Sequence, residues 1–448
     1  MQKDLSQLTQ ALLHAAQKHG ADNADAIAVT GTSISIDVRA GALEHAERSE
    51  GVDIGLRVFV GQKQACVSAS DVRDETLETI AERAVAMAKL SPDDPYIGLA
   101  DADQLAEDRD CGKLELFDAT AEPAAADLED DARRAEATAL EHSGISKVQS
   151  ASAGYGRRQV HLAASNGFSG GYERSDRAIS CVAIAGSGTQ MERDYFGDSR
   201  IFQADLMTPE EVGQRAAENT LARLGARKPK TGTFPVIFDE RISSTLLGHL
   251  MAAVNGSMIA RGSSWLRDDL GQSILPSHIS IIEQPHRKRT SGSRLFDSEG
   301  LPTKERHIVE NGTLMGWTLD LATARQLGLT STANAGRGVG SPPSPAPTNL
   351  AMTQGPQSQA DLLKDMGTGL LVTSLIGSSV NPNTGDYSRG ASGFWVENGV
   401  LAYPVNECTI AGNLRDMLKT IVTANDARMH LSRVVPSILV ESMTLAGA

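Results

Sequence analysis

Along this chain the apolar residues switch between two periods. Leu5, Leu8, Leu12 and Leu13 form one stripe on an otherwise polar stretch, which predicts an amphipathic helix. From Ala26 to Val38 (AIAVTGTSISIDV) the pattern becomes alternation. Ala42 to Glu50, Val52 to Val60 and Gln64 to Ala69 continue it, so an antiparallel sheet is predicted. Val72 to Leu90 returns to helical spacing, with Leu77, Ile80, Ala84, Met87 and Ala88 on one face, and stops at Ser91-Pro92. A second unit repeats this order. Glu122 to His142 is an Ala-rich helix punctuated by Pro123 and Ser143-Gly144. Val148 to Tyr155, Gln159 to Ala164 and Gly171 to Gly186 alternate as strands around a Ser165-Asn166-Gly167 turn. Thr208 then caps a helix that starts at Pro209 and runs to about Leu224.

The third stretch is the longest. Phe234 to Phe238 is a short run of β-formers, and after Asp239 the residues Ile242, Leu246, Leu247, Leu250 and Val254 recur at helical spacing, so a buried strand feeds a helix. HIVENGTLMGW (His307 to Trp317) and FWVENGVLAYP (Phe394 to Pro404) each place Asn-Gly between apolar β-formers, a strong hairpin signal. Asn334 to Gln359 between them is too rich in Pro and Gly for a helix or a central strand, and is expected to be a long loop. The fold class expected is α+β: an N-terminal domain at 1–92, a linker at 93–121 with at most a short helix, a central domain at 122–230, and a larger sheet-containing C-terminal domain at 231–448.

Charge narrows the function. The 448 residues carry 42 basic and 56 acidic side chains, a net −14, and the densest basic cluster is only His286 to Arg289. A nucleic-acid groove needs a concentrated positive field, so nucleic acid is not an expected partner. The four cysteines Cys66, Cys111, Cys181 and Cys408 form no C-x-x-C pair, which fits a reducing cytoplasm. No apolar run approaches the ~20 residues that span a bilayer, and the N-terminal stretch is too polar for a signal peptide or anchor. The expectation is a soluble cytoplasmic protein without membrane association.

Chemistry is sought first on the helix after Asp239. A short zinc motif puts two histidines at i and i+4 with a glutamate beside the first, because zinc needs convergent N and O donors. Here His249 is followed by Leu250, and Ala253 lies four residues on. One imidazole cannot hold a catalytic zinc; His249 could be a lone acid/base or a residual ligand, but on a face of small and apolar residues it reads more readily as a hydrogen-bonded core or cleft histidine. Gly248, Ala252, Ala253 and Gly256 would let another segment approach closely. No G-x-S-x-G elbow occurs, and Ser392 in GASGF lacks a strand-turn-helix frame. Gly186-Ser187-Gly188 and Gly336 to Gly340 are not followed by Gly-Lys-Ser/Thr, so they read as turns. Asp386, Tyr387, Ser388 and Arg389 fall in a Gly-flanked stretch read as a loop. Either it faces a cleft, where Ser388 and Arg389 could hold a peptide backbone or carboxylate, or it is a turn satisfied by Asp386.

Several longer stretches carry a resemblance. They are Arg337 to Pro345 (RGVGSPPSP) followed by Thr348-Asn349, MERDYFGDSR from Met191, LFDSEGLPTKERH from Leu295 and NTGDYSRGASGFWVENG from Asn383, with DMGTGLLVTSLIG and TIAGNLRDML. Over nearly the whole chain the sequence resembles the PmbA, or TldE, branch of the TldD/PmbA metallopeptidase family. In the TldD branch the equivalent helix reads His-Glu-x-x-x-His, with a Cys near the C-terminus as third ligand. The resemblance sets Gly248 at the first His, His249 at the Glu and Ala253 at the second His, while Ala427 to Ser437 contains no Cys.

The resemblance therefore implies no catalytic residue and no metal ligand in this chain. Zinc would reside in a TldD-type partner forming a heterodimer, and unfolded peptide would be the substrate to be degraded or trimmed, as in peptide-antibiotic maturation. It also marks Arg337, Thr348, Asn349, Asp386, Tyr387, Ser388 and Arg389 as substrate-binding candidates around a cavity that holds peptide by strand addition. Alone, the chain could instead form a homodimer. Two other classes stay open: an independent metal-dependent hydrolase using His286, His307 and Glu310, and a protein-binding modulator of DNA gyrase, the family's old label.

Overall fold

The computed structural model describes residues 4–447. Helix α1 (Leu5–Lys18) starts at Asp4, which accepts from the Gln7 N–H while the Gln7 side chain accepts from the Asp4 N–H, a reciprocal cap. Strands β1 (Asn23–Arg39), β2 (Ala42–Val60) and β3 (Lys63–Ala69) follow, then α2 (Asp74–Leu90). Gly51 does not interrupt β2 as the spacing predicts, because it pairs opposite Gly31 and the strand runs through. The linker holds two single 3-10 turns, Ala102–Gln104 and Cys111–Leu114. Helix α3 (Ala125–Glu141), strands β4 (Ile145–Ala164), β5 (Ser169–Ala185) and β6 (Glu192–Arg200), and α4 (Pro209–Leu221) complete the second unit. Thr208 and Glu211 cap α4 reciprocally, as expected of Thr-Pro-Glu-Glu. β6 has no counterpart in the periodicity.

The first two units share one sheet. β1 pairs antiparallel with β4 from Asp25 opposite Ala164 to Val38 opposite Ala151, giving the order β3-β2-β1-β4-β5-β6. Alternation then divides the labour along β1. Ala24, Ala26 and Ala28 pack under α1 and α2, Ile34, Ile36 and Val38 pack under α3, and Ile27 and Val29 face the other way onto Phe168 and Phe296. The last contact joins the sheet to the third unit.

That unit opens with β7 (Gly232–Phe238), α5 (Glu240–Ala253) and the short α6 (Gly256–Ala260). Strands β8 (Ile281–Glu283), β9 (Arg306–Glu310) and β10 (Thr313–Leu314) precede α7 (Leu321–Leu327). The Pro-rich stretch contains β11 (Ala335–Gly336), β12 (Ser344–Pro345) and β13 (Leu350–Met352), and leads to α8 (Gln359–Met366). Strands β14 (Gly369–Val380), β15 (Asp386–Glu397) and β16 (Val400–Asn413) come next, then α9 (Leu414–Lys419), β17 (Val422–Thr423), β18 (Arg433–Val434) and β19 (Ile438–Ala446).

One sheet runs β16-β15-β14-β7-β19-β17, and β16 also pairs with β19 at Thr409 to Ala411, so five strands close into a ring. A second sheet, β10-β9-β8-β13-β18, shares its core. Phe238, Leu246, Leu247, Leu250, Trp395, Ile281 and Leu350 form one buried cluster. Both Asn-Gly pairs make the predicted hairpins with positive φ at each residue (Asn311 48°, Gly312 80°; Asn398 52°, Gly399 77°). Among the described residues no helix is long and apolar enough to cross a membrane.

Two expectations are corrected here. Residues 334–359 are not wholly loop: β13 is an interior strand between β8 and β18, because no proline falls between Pro347 and Pro356 and the N–H groups of Leu350 to Met352 are free to pair. Asp386 to Arg389 are strand rather than loop. The turn is made by Thr384 and Gly385 (φ 80°), and pairing starts with Asp386 opposite Asn413.

Candidate functional site around helix α5

Helix α5 leaves β7 at Asp239, which caps it by accepting from the Arg241 N–H at 3.0 Å. Leu246, Leu247 and Leu250 turn into the core, which leaves Gly248 and His249 half-exposed on the flank. The His249 ring meets Tyr387 of β15 edge-on, with centroids 5.8 Å apart and planes at 75°. Tyr387 is 2% exposed; its hydroxyl and His249 Nε2 are both enclosed without a hydrogen-bond partner. Arg389, two residues along and on the same side of the strand, donates through Nε to the Gly377 carbonyl at 2.7 Å.

Burial first, and then the Arg389 guanidinium, holds the His249 imidazole below its ordinary pKa. Burial pushes the Tyr387 phenol up to about 12 against the pull of Arg389. Both rings are therefore neutral at pH 7.

A second segment lies along α5. Arg428 Nε pairs with Glu240 at 2.6 Å, and the Ser243 hydroxyl donates to the Val435 carbonyl at 3.4 Å. Between them β18 forms the edge of the second sheet, and Arg433 reaches over the helix so closely that a β-carbon on Gly248 would sit 3.3 Å from its Nη1. Arg433 did not stand out in the sequence, since an arginine beside two valines looks like ordinary surface. The available signal was its place in Ala427 to Ser437, where the resemblance directs attention to a ligand.

The residues do not fit a zinc ion. Gly248 and Ala253 carry no donor, and Ala253 is buried. His430, in the segment beside α5, lies 3.6 Å from Asp198. His286 bonds the Thr303 hydroxyl at 3.0 Å, and His307 stands exposed on β9, 3.9 Å from Glu310, so the alternative ligand set does not converge. Among the described residues no group of three His, Cys, Asp or Glu side chains is placed to hold a metal.

The other candidates fall into three places. Arg337 is completely enclosed in a pair with Asp25, which also lies 2.5 Å from Arg57, so Arg337 ties the Pro-rich segment to β1 and β2. Beside it a β-carbon on Gly55 would come 1.9 Å from the Val339 carbonyl, which shows how closely the two backbones touch. Thr348 donates through N and Oγ1 to Glu283 at 2.5 and 2.9 Å, and Asn349 donates to the Gln284 carbonyl and the Ser293 hydroxyl at 3.0 and 2.7 Å. These three residues are built into buried networks and are not presented to the flank of α5. Asp386 is exposed, and the hydrogen bonds from Thr384 (2.6 Å) and Asn413 (3.0 Å) hold its carboxyl below the usual range. Ser388 is half-buried and points to the face of β15 opposite Tyr387 and Arg389. The structure thus brings Tyr387 and Arg389 to His249, and sets Arg433 over the neighbouring Gly248.

A pH titration tests the His249 environment. With its folded pKa depressed, the unfolded chain takes up the proton first as pH falls, so stability drops from the ordinary imidazole value of about 6.5 down to the folded value and then levels. The ring signals of His249 should titrate below 6.5 by NMR, and His249→Phe should flatten that part of the stability profile. A midpoint at or above 6.5 would contradict the enclosed geometry.

Comparison with known proteins agrees with this architecture along the whole chain. Family models match as the PmbA/TldA metallopeptidase domain 1 over residues 24–88, the central domain over 118–224 and the C-terminal domain over 231–447. Metalloprotease PmbA of Escherichia coli is 38% identical over 428 residues, covering 95% of this chain and 92% of that protein. The metalloprotease PmbA homolog of Haemophilus influenzae is 37% identical over 455 aligned positions, covering 100% and 97%. The crystal structure of a candidate modulator of DNA gyrase from Bacteroides thetaiotaomicron superimposes with a TM-score of 0.90 at 27% identity, covering 98% of both chains. TldE from Thermococcus kodakarensis shares the fold at a TM-score of 0.85 and 20% identity, over 98% of this chain and 99% of that one. With three domain models in order and full-length relatives above a third identical, this chain belongs to the PmbA/TldD metallopeptidase family, in its PmbA branch.

Proposed function

We propose that this chain is the metal-free, peptide-holding subunit of a TldD/TldE-type peptidase, paired with a TldD-type chain that carries the zinc. The observation that supports it most is the flank of α5. Where a metallopeptidase needs convergent donors, this helix offers a glycine, one histidine packed against a tyrosine, and a buried alanine. An edge strand, β18, runs beside that flank, and an edge can accept an extended peptide through backbone hydrogen bonds largely independent of its sequence. Unfolded peptide is the substrate class that such recognition suits.

The test measures zinc by elemental analysis, and cleavage of an unfolded protein such as casein, for the chain alone and mixed with a TldD-type protein. The expected result is no bound zinc and no cleavage alone, with a stable complex and cleavage when the two are combined. Near-stoichiometric zinc together with cleavage by the isolated chain would overturn the assignment.

A further inference from the structure

The flank of α5 carries positive charge. Arg433 rests over Gly248, where a β-carbon would sit 3.3 Å from its Nη1. Arg389 stands beside His249 and Tyr387 and spends Nε on a carbonyl. Among the described residues no carboxylate pairs with either guanidinium, although the chain carries 56 acidic side chains against 42 basic ones. The nearby acids are engaged elsewhere: Glu240 with Arg428, and Asp386 with Thr384 and Asn413. Beside Arg389 lie uncharged groups with unmet hydrogen-bonding capacity, the Tyr387 hydroxyl and His249 Nε2.

We infer that this flank is a subsite for a carboxylate of the bound peptide, with Arg433 and Arg389 supplying charge-assisted hydrogen bonds to it. The inference rests on the peptide-holding reading above and adds the chemistry that orients the peptide. Guanidinium forks match a carboxylate in two parallel hydrogen bonds, while a neutral amide returns only part of that energy. Cationic side chains thus occupy the helix face where this chain lacks metal donors, and they would fix one end of a peptide whose backbone lies along β18. The carboxylate could be the peptide's C-terminus or an Asp or Glu side chain.

The experiment uses the full chain and three peptides: acetyl-tetraalanine as the free acid, the same peptide as the carboxamide, and the carboxamide with one internal aspartate. Affinities are measured by calorimetry, and the His249 ring signals are followed by NMR. The free acid should bind at least about tenfold more tightly than the carboxamide. It should also raise the His249 midpoint, because a bound anion offsets the field of Arg389. Arg433→Gln, at an exposed position, should erase the preference without moving the thermal midpoint, and Arg389→Gln by itself should reduce it.

If the aspartate restores tight binding to the carboxamide, the subsite takes a side-chain carboxylate; if it does not, the subsite takes the C-terminus; either supports the proposal. Equal affinity of acid and carboxamide would overturn the subsite while leaving a peptide-holding subunit intact. A preference that survives Arg433→Gln, or no binding of any of the three peptides, would also overturn it. Loss of the complex with a TldD-type chain would instead strike the reading beneath it.

Discussion

Asp25→Asn should cost the protein about 3–5 kcal/mol, the usual penalty for breaking a buried ion pair by removing one partner. Asp25 sits on β1 directly opposite Arg57 of β2, and Arg337 arrives from the Pro-rich segment to complete a three-membered group. The substitution keeps the shape but leaves two enclosed guanidiniums facing each other with no anion between them. Arg337→Met should cost less, since Asp25 retains Arg57. Burial by itself would raise the Asp25 carboxyl, but Arg337 and Arg57 outweigh it and hold the group below the ordinary value of 3.8. The sign follows: stability from this group is present above 3.8 and is lost as pH falls through the lower folded value, so Asp25→Asn should remove that acid limb. Urea unfolding at several pH values measures both effects. A loss under about 0.5 kcal/mol, the range of ordinary surface changes, would show that this group does not hold the sheet to the third unit.

Glu283→Ala should be of similar size and for a related reason. The Glu283 side chain is 2% exposed and accepts from the Thr348 N–H, the Thr348 hydroxyl, Asn334 Nδ2 and Arg306. Truncation strands all four donors, and a buried unpaired charge with orphaned donors costs about 3–5 kcal/mol. Glu283→Gln keeps the volume and one acceptor oxygen, so it should lose less. Hydrogen exchange at the Thr348 amide distinguishes a local from a global effect. Faster exchange there in the alanine variant, with a lowered unfolding midpoint, is the expected pair of results; an unchanged midpoint would mean that other contacts hold the Pro-rich segment.

These two acidic hubs also show what was legible in the amino-acid order and what was not. Local rules worked where the cause is local: the Thr208 cap, both Asn-Gly hairpins and the strand feeding α5 depend on a few adjacent residues. Long-range pairing was invisible. β1 alternates in a way that would suit several partners, and nothing in it announces β4 as its second neighbour or Asp25 as an anchor for a segment three hundred residues on. The Pro-rich segment looked like a candidate binding loop because its composition is distinctive. Its Arg337, Thr348 and Asn349 proved to be internal fasteners. Around α5 the residues Gly248, His249 and Ala253 and their helix are legible in the sequence, whereas Arg433 could be placed only by the sheet that carries it.

The position of β7 has a kinetic side. It lies between β14, paired parallel with it at Leu370 opposite Val236, and β19, paired antiparallel at Ile438 opposite Phe238. Its two neighbours arrive roughly 130 and 200 residues later in the chain, and contacts of such separation close slowly because loop entropy is lost before they return anything. During that wait the Phe234 to Phe238 run stands as an apolar strand with both edges open, the form most prone to mispair with another chain. Refolding yield should therefore fall steeply with protein concentration, and the ring of the third unit, rather than the first sheet with its local hairpins, should set the pace at which this protein reaches its native state.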